Sequence, residues 1–221
     1  MLSSLFFLTL SEILSIDRPR NLKRNNIVLK YVFSMPRALV FLAKGFEEIE
    51  ASTIIDILRR SGIEVAVIGL ESGLIEGSHG MKFVPDKSIE EVSVRDFDAV
   101  VCPGGAPGYQ NLRKNRRVLA IVKEAFETDK LVAAVCASPA VLSDAGILKD
   151  KECTIYPGME NELEKGGGKP VEDIVAVDGN IITSRGPATA LPFALKLVEK
   201  LAGKKVADNV RKDTLADLTL R

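Results

Sequence analysis

The 221-residue chain has no tryptophan, one glutamine, one histidine and three cysteines. Each scarcity closes off a class of chemistry. With His79 the only imidazole, sites that need two histidines are ruled out, and with no C-x-x-C pair either, no zinc or other metal is expected. Cys102, Cys136 and Cys153 are too few and too odd in number for a disulfide framework, and they suit a reducing, cytoplasmic setting. Thirty Lys and Arg balance thirty Asp and Glu. That leaves no net positive field for nucleic acid or an anionic membrane surface. No apolar run approaches the ~18 residues of a membrane span. A single glutamine, Gln110, beside plentiful Lys, Arg and Glu is a thermophile-like bias.

What is present describes a globular protein: 46% hydrophobic and 27% charged residues. Residues 1–34 stand apart. "LSSLFFLTL" is apolar, but no Lys or Arg precedes it and no clean small-residue cleavage site follows, so it makes a poor signal peptide. The basic stretch "DRPRNLKRNN" has no helical period. We read 1–34 as an N-terminal extension outside the core, with Met35 as the working start, and 35–221 as a single domain.

From Met35 the pattern is regular. Short apolar runs at 37–43, 63–70, 98–102 and 131–135 read as buried strands. Helices are expected at 47–62, about 111–128, from 138, at 189–203 and in a charged tail from about 204. The Gly-bounded pieces of 74–86 read as a hairpin, "ECTIY" (152–156) as a strand, and 173–184 as two strands about a D-G-N turn. Strands alternating with amphipathic helices mean a mostly parallel sheet covered on both faces. Ligands in such folds bind beyond the carboxyl ends of the strands. Three loops there draw attention: "KGFEEIE", "PGGAPG" and "CASPA".

In the third, Ala134-x-Cys136-x-Ser138 is small-x-nucleophile-x-small between a strand and a helix, the thiol counterpart of the G-x-S-x-G elbow. A helix N-terminus there would lower the thiol pKa. A structural cysteine in a zone of small residues fits the same letters. Cys102 and Cys153 lie in strand-like runs and read as structural. In "PGGAPG", consecutive glycines bare backbone N–H groups that can bind a phosphate or hold an oxyanion, or simply form a tight turn. The loop has no G-K-[ST] and no dinucleotide fingerprint. In "GFEEIE", charge complement to the helix dipole accounts for two of Glu47, Glu48 and Glu50; one turned inward would be a desolvated carboxyl with raised pKa. Spacing does not choose which.

The ordered motifs "FLAKGFEEIE", "VVCPGGAPG", "AAVCASPA" and "TSRGPATA" together resemble the ThiJ/PfpI superfamily, in the branch of the Parkinson-disease-associated protein deglycase. The resemblance covers about 36–212. It implies an α/β, flavodoxin-like three-layer sandwich of the class I glutamine-amidotransferase type, and a homodimer. It implies Cys136 as nucleophile, Glu50 as a protonated acid at its sulfur, and backbone donors at Gly105 and Ala137. Gly104, Arg60, Tyr156, Arg185 and Pro187 are implied around the pocket. No cofactor is implied. The activities it implies are a glyoxalase needing no glutathione and deglycation of early glycation adducts, so the expected partner is a small carbonyl substrate or a glycated protein. A redox-sensing, chaperone-like role is the alternative. A peptidase is disfavoured, because the peptidase-like branch carries His where this chain has Ala137. Many relatives also carry His where this chain has Tyr156.

Overall fold

The computed structural model describes residues 35–220; the extension expected at 1–34 lies outside the described residues. The apolar runs form strands because each places alternate side chains on opposite faces, and both faces are covered. In β1 (Arg37–Leu42), Ala38, Val40 and Leu42 enter one hydrophobic core while Leu39 and Phe41 enter another. β2 (Glu64–Gly69), β6 (Ala99–Cys102) and β7 (Leu131–Val135) repeat this division. Between β2 and β6 lie three two-residue strands. β3 (Ile75–Glu76) and β4 (Lys82–Phe83) form the expected hairpin, and β5 (Lys87–Ser88) extends the main sheet.

The main sheet has seven strands in the order β10-β11-β7-β6-β1-β2-β5. Every pair is parallel except that of β10 (Val175–Asp178) with β11 (Ile181–Ser184), the hairpin closed by Gly179 and Asn180. One face is covered by α1 (Glu48–Arg60), α6 (Ala190–Ala202) and α7 (Lys204–Asp213), whose apolar sides share a core with Val40, Val101 and Val135. The other is covered by α2 (Gly108–Lys114), α3 (Arg116–Glu127) and α4 (Pro139–Asp144), packed on Phe41, Val100 and Val132. The architecture is flavodoxin-like. No helix among the described residues is long and apolar enough to cross a membrane.

Two expectations need correction, and one element goes beyond them. The single helix expected at 111–128 is two, α2 and α3, separated at Asn115. The strand expected over 152–156 is only β8 (Glu152–Cys153), paired with β9 (Lys169–Pro170) in a sheet of its own. A short helix not anticipated, α5 (Glu160–Lys165), lies between them.

Candidate active site

β1, β6 and β7 are neighbours in the sheet and run the same way, so their carboxyl ends bring the three singled-out loops to one edge. Cys136 follows β7 and has φ 63°, the left-handed region that few non-glycine residues occupy. Its backbone is held there from both sides: its N–H donates to Ser184 O at 3.0 Å, and its carbonyl accepts from Tyr156 N at 2.8 Å. Such an outlier costs on the order of 1 kcal/mol or more and persists only where the surroundings over-determine it. Ala133, Ala134 and Ala140 around the elbow are fully buried, and Ala137 nearly so. Their smallness is what lets strand, turn and helix close up here.

Glu50 is the inward-turned acid, fully buried in the first turn of α1. Its Oε2 accepts from Gly104 N at 2.7 Å, while its Oε1 has no hydrogen-bond partner. Gly104 is glycine because there is no room for more. A Cβ there would lie 2.7 Å from Glu50 Oε2, 2.6 Å from Cys136 Cβ and 3.1 Å from Cys136 Sγ. Carboxyl and sulfur therefore share one small space. Gly105 has φ +94°, and a Cβ there would sit 2.2 Å from Glu47 N. The backbone amides of Gly105 and Ala137 act on the Cys136 sulfur in the direction that favours its charge.

Burial pushes Glu50 up to about 7 and the charge of Glu47 adds to the rise, against the downward pull of the Gly104 N–H and of Cys136. Burial also pushes the Cys136 thiol up, to about 12, followed by the charge of Glu50; the Gly105 and Ala137 amides pull the other way. The expectation of a thiol simply lowered by a helix N-terminus is corrected. α4 is only six residues long and begins three residues beyond the sulfur, so desolvation prevails. The two acids instead form a coupled pair. The Glu50 charge that opposes sulfur ionisation vanishes when Glu50 takes the proton. An orphaned, fully buried Oε1 favours that neutral carboxyl, and the two amides favour charge on sulfur.

Around this pair, Tyr156 is half exposed, with its ring edge close to Gly186. Arg185 donates from Nη1 to Glu172 O at 2.9 Å, and Pro187 opens the turn leading into α6. Arg60 is not brought to the site. It lies ten residues beyond Glu50 on α1, about 15 Å along the axis, exposed and bound through Nε to Asp56 Oδ2 at 2.6 Å. Its place is set by its position in the last turn, where a cation suits the helix terminus.

Glu48 points away from the sulfur. It accepts from His79 N at 2.6 Å and Ser78 Oγ at 3.2 Å, and its Oε2 lies 3.0 Å from His79 Nδ1. Burial acts to raise its pKa, but the His79 hydrogen bonds outweigh it and the carboxyl is lowered. The sole imidazole is thus engaged by Glu48. Cys102 and Cys153 are buried, and burial raises both thiols. Ser138 was read in the sequence only as a small neighbour of Cys136, and its hydroxyl has a role of its own. Its buried hydroxyl donates to Pro103 O at 2.6 Å and locks the elbow to the glycine loop. The one signal in sequence was a hydroxyl among the alanines of "CASPA".

A flavodoxin-like domain with a strained cysteine at a strand-to-helix elbow, beside a glycine loop and a buried carboxyl, defines a class of cysteine-elbow proteins. Within it, residues 36–200 match the DJ-1/PfpI family, and the chain belongs to that family. It is 41% identical to Protein dj-1beta of Drosophila melanogaster over 179 residues, 80% of this chain and 96% of that protein. A deglycase of Pyrococcus abyssi is 36% identical over 166 residues, 75% of this chain and 99% of the relative. The crystal structure of Drosophila DJ-1beta superposes with a TM-score of 0.79, covering 82% of this chain and 98% of that one.

Proposed function

We propose that the protein is a cysteine-dependent glyoxalase and protein deglycase acting on 2-oxoaldehydes and their early adducts, as a homodimer in a reducing cytoplasm. One observation carries this reading: a buried Glu50 carboxyl with an unpartnered oxygen, packed against the Cys136 sulfur. Proton transfer from Cys136 to Glu50 gives thiolate and neutral acid. The sulfur adds to the aldehyde carbon of methylglyoxal, and the new oxyanion lies against the Gly105 and Ala137 amides. Glu50 protonates that oxygen, giving the hemithioacetal. As carboxylate, it then removes the hydrogen from the sulfur-bearing carbon and returns a proton to the adjacent carbon, while the hydroxyl proton passes to the neighbouring carbonyl oxygen, leaving a lactoyl thioester. Water cleaves the thioester to lactate and free thiol. On an early amine adduct the sulfur takes the carbinol carbon, the amine leaves with a proton, and the same hemithioacetal results. None of these steps calls on a metal or an organic cofactor. The name of the Pyrococcus abyssi relative supports the deglycase half.

Cys136→Ala should abolish lactate formation from methylglyoxal; full activity in that variant would sink the mechanism. Glu50→Gln should lose most turnover yet keep peroxide reactivity. The partial exposure of Cys136, beside two buried cysteines, favours oxidation sensing as the second reading. Negligible wild-type turnover, with two oxygens added to Cys136 by peroxide in the intact mass, would select it. A Cys–His peptidase is disfavoured, since His79 is engaged by Glu48.

A further inference from the structure

The acids of "GFEEIE" divide their work: Glu50 faces the sulfur, Glu48 holds His79, and Glu47 remains. Glu47 is nearly buried, precedes α1, and caps it by accepting Glu50 N on Oε2 at 2.7 Å. Helix dipole complement accounts for an acid at this position but not for what its backbone does. Glu47 N donates to Gly104 O at 3.0 Å. Gly104 N in turn donates to Glu50 Oε2 at 2.7 Å. The three bonds close a ring: Glu47 to Gly104, Gly104 to Glu50, Glu50 back to Glu47. Gly104 is also the residue whose missing side chain leaves room for the sulfur and the carboxyl.

We propose that Glu47 is a positioning residue for the Cys136–Glu50 pair, fixing Glu50 against the glycine loop through this ring and setting with its charge the pH at which the pair gives up its proton. The inference rests on Glu50 being the partner of Cys136. The charged or titratable groups facing Glu47 are Glu50 and Glu48 from α1, and His79 from the hairpin loop. His79 is exposed and bound to Glu48. Cys136 comes from the elbow beyond Glu50. A negative charge beside Glu50 disfavours its ionisation, which agrees with the direction Glu47 imposes on it.

The test is the rate of Cys136 alkylation by iodoacetamide against pH, which reads the pair whether or not the protein turns over methylglyoxal. Glu47→Gln keeps an oxygen to accept Glu50 N and removes only the charge. It should move the profile to lower pH by about 0.5 unit or more. In a Glu50→Gln background the same change should move it by less than half as much, because the effect passes through Glu50. A profile that superimposes on wild type overturns the proposal. So does an equal shift in both backgrounds, which would mean that Glu47 acts on the sulfur directly. Loss of methylglyoxal turnover in wild type, with the shift intact, would count against the proposed activity and leave the role of Glu47 standing.

Discussion

At the scale of single residues, the site is built by exclusion as much as by contact. Gly104 and Gly105 contribute no side chain, and what they leave empty is occupied by Glu50 Oε2 and by the backbone of Phe46 and Glu47. Gly104→Ala should therefore wedge the carboxyl from the sulfur. We expect kcat/KM for methylglyoxal to fall about 100-fold, the usual cost of a ~1 Å misplacement of reacting groups. Circular dichroism should still show a folded protein at 25 °C. Activity within twofold of wild type would mean that carboxyl and sulfur need not be this close. Cys136 was legible from its small neighbours. Glu50 was not legible from spacing, because three acids in four residues are equivalent on paper, and only the family resemblance singled it out. In physical terms, the register of α1 against the glycine loop separates the one that faces sulfur, the one that caps and the one that binds His79.

Elements with a strong period were legible, and those defined by capping or by isolated polar bonds were not. β1, β2, β6 and β7 were apparent as apolar runs because both their faces are buried. Between α2 and α3 the apolar pattern runs on through Leu112 and Val118, so periodicity conceals the break. The break is made by Asn115, extended at φ −85° and ψ 109°, whose side chain accepts from Arg117 N at 2.9 Å and Val118 N at 3.2 Å. Asn115→Ala should lower stability by about 1 kcal/mol, the usual value of such a cap. It should appear as a reduced urea midpoint with unchanged slope. No change in midpoint would mean that packing of α3 alone sets its start. "ECTIY" looked like a strand, yet Thr154 N bonds Thr183 Oγ1 and Tyr156 N bonds Cys136 O, so the run leaves its ladder to brace the elbow. α5 has a single buried apolar residue, Leu163, and so no stripe to read.

For the molecule as a whole, the site carries a stability cost whose sign can be worked out. Glu50 titrates near 4.5 when unfolded and at about 7 when folded. Between those values the folded state binds more protons, so stability falls as pH rises through the window. A shift of this size corresponds to about 3 kcal/mol, a sizeable part of the 5–15 kcal/mol typical of a domain. Glu48, Glu162 and Asp178 act oppositely: their lowered pKa values give stability that is present above the ordinary carboxylate range and lost as pH falls through their folded values. His79, raised by Glu48, contributes stability below its unfolded value that is lost as pH rises through its folded one. All of these are common to wild type and Glu50→Gln, so the difference between the two proteins isolates Glu50 together with its coupled partner Cys136. We expect Glu50→Gln to match wild type near pH 4.5 and to gain on it steadily up to pH 7–8, by on the order of 2–3 kcal/mol. Urea titrations at half-unit pH steps measure this difference directly. A constant difference across the range would mean that Glu50 is already ionised in the folded protein at pH 5, and the neutral acid at the sulfur would have to be abandoned.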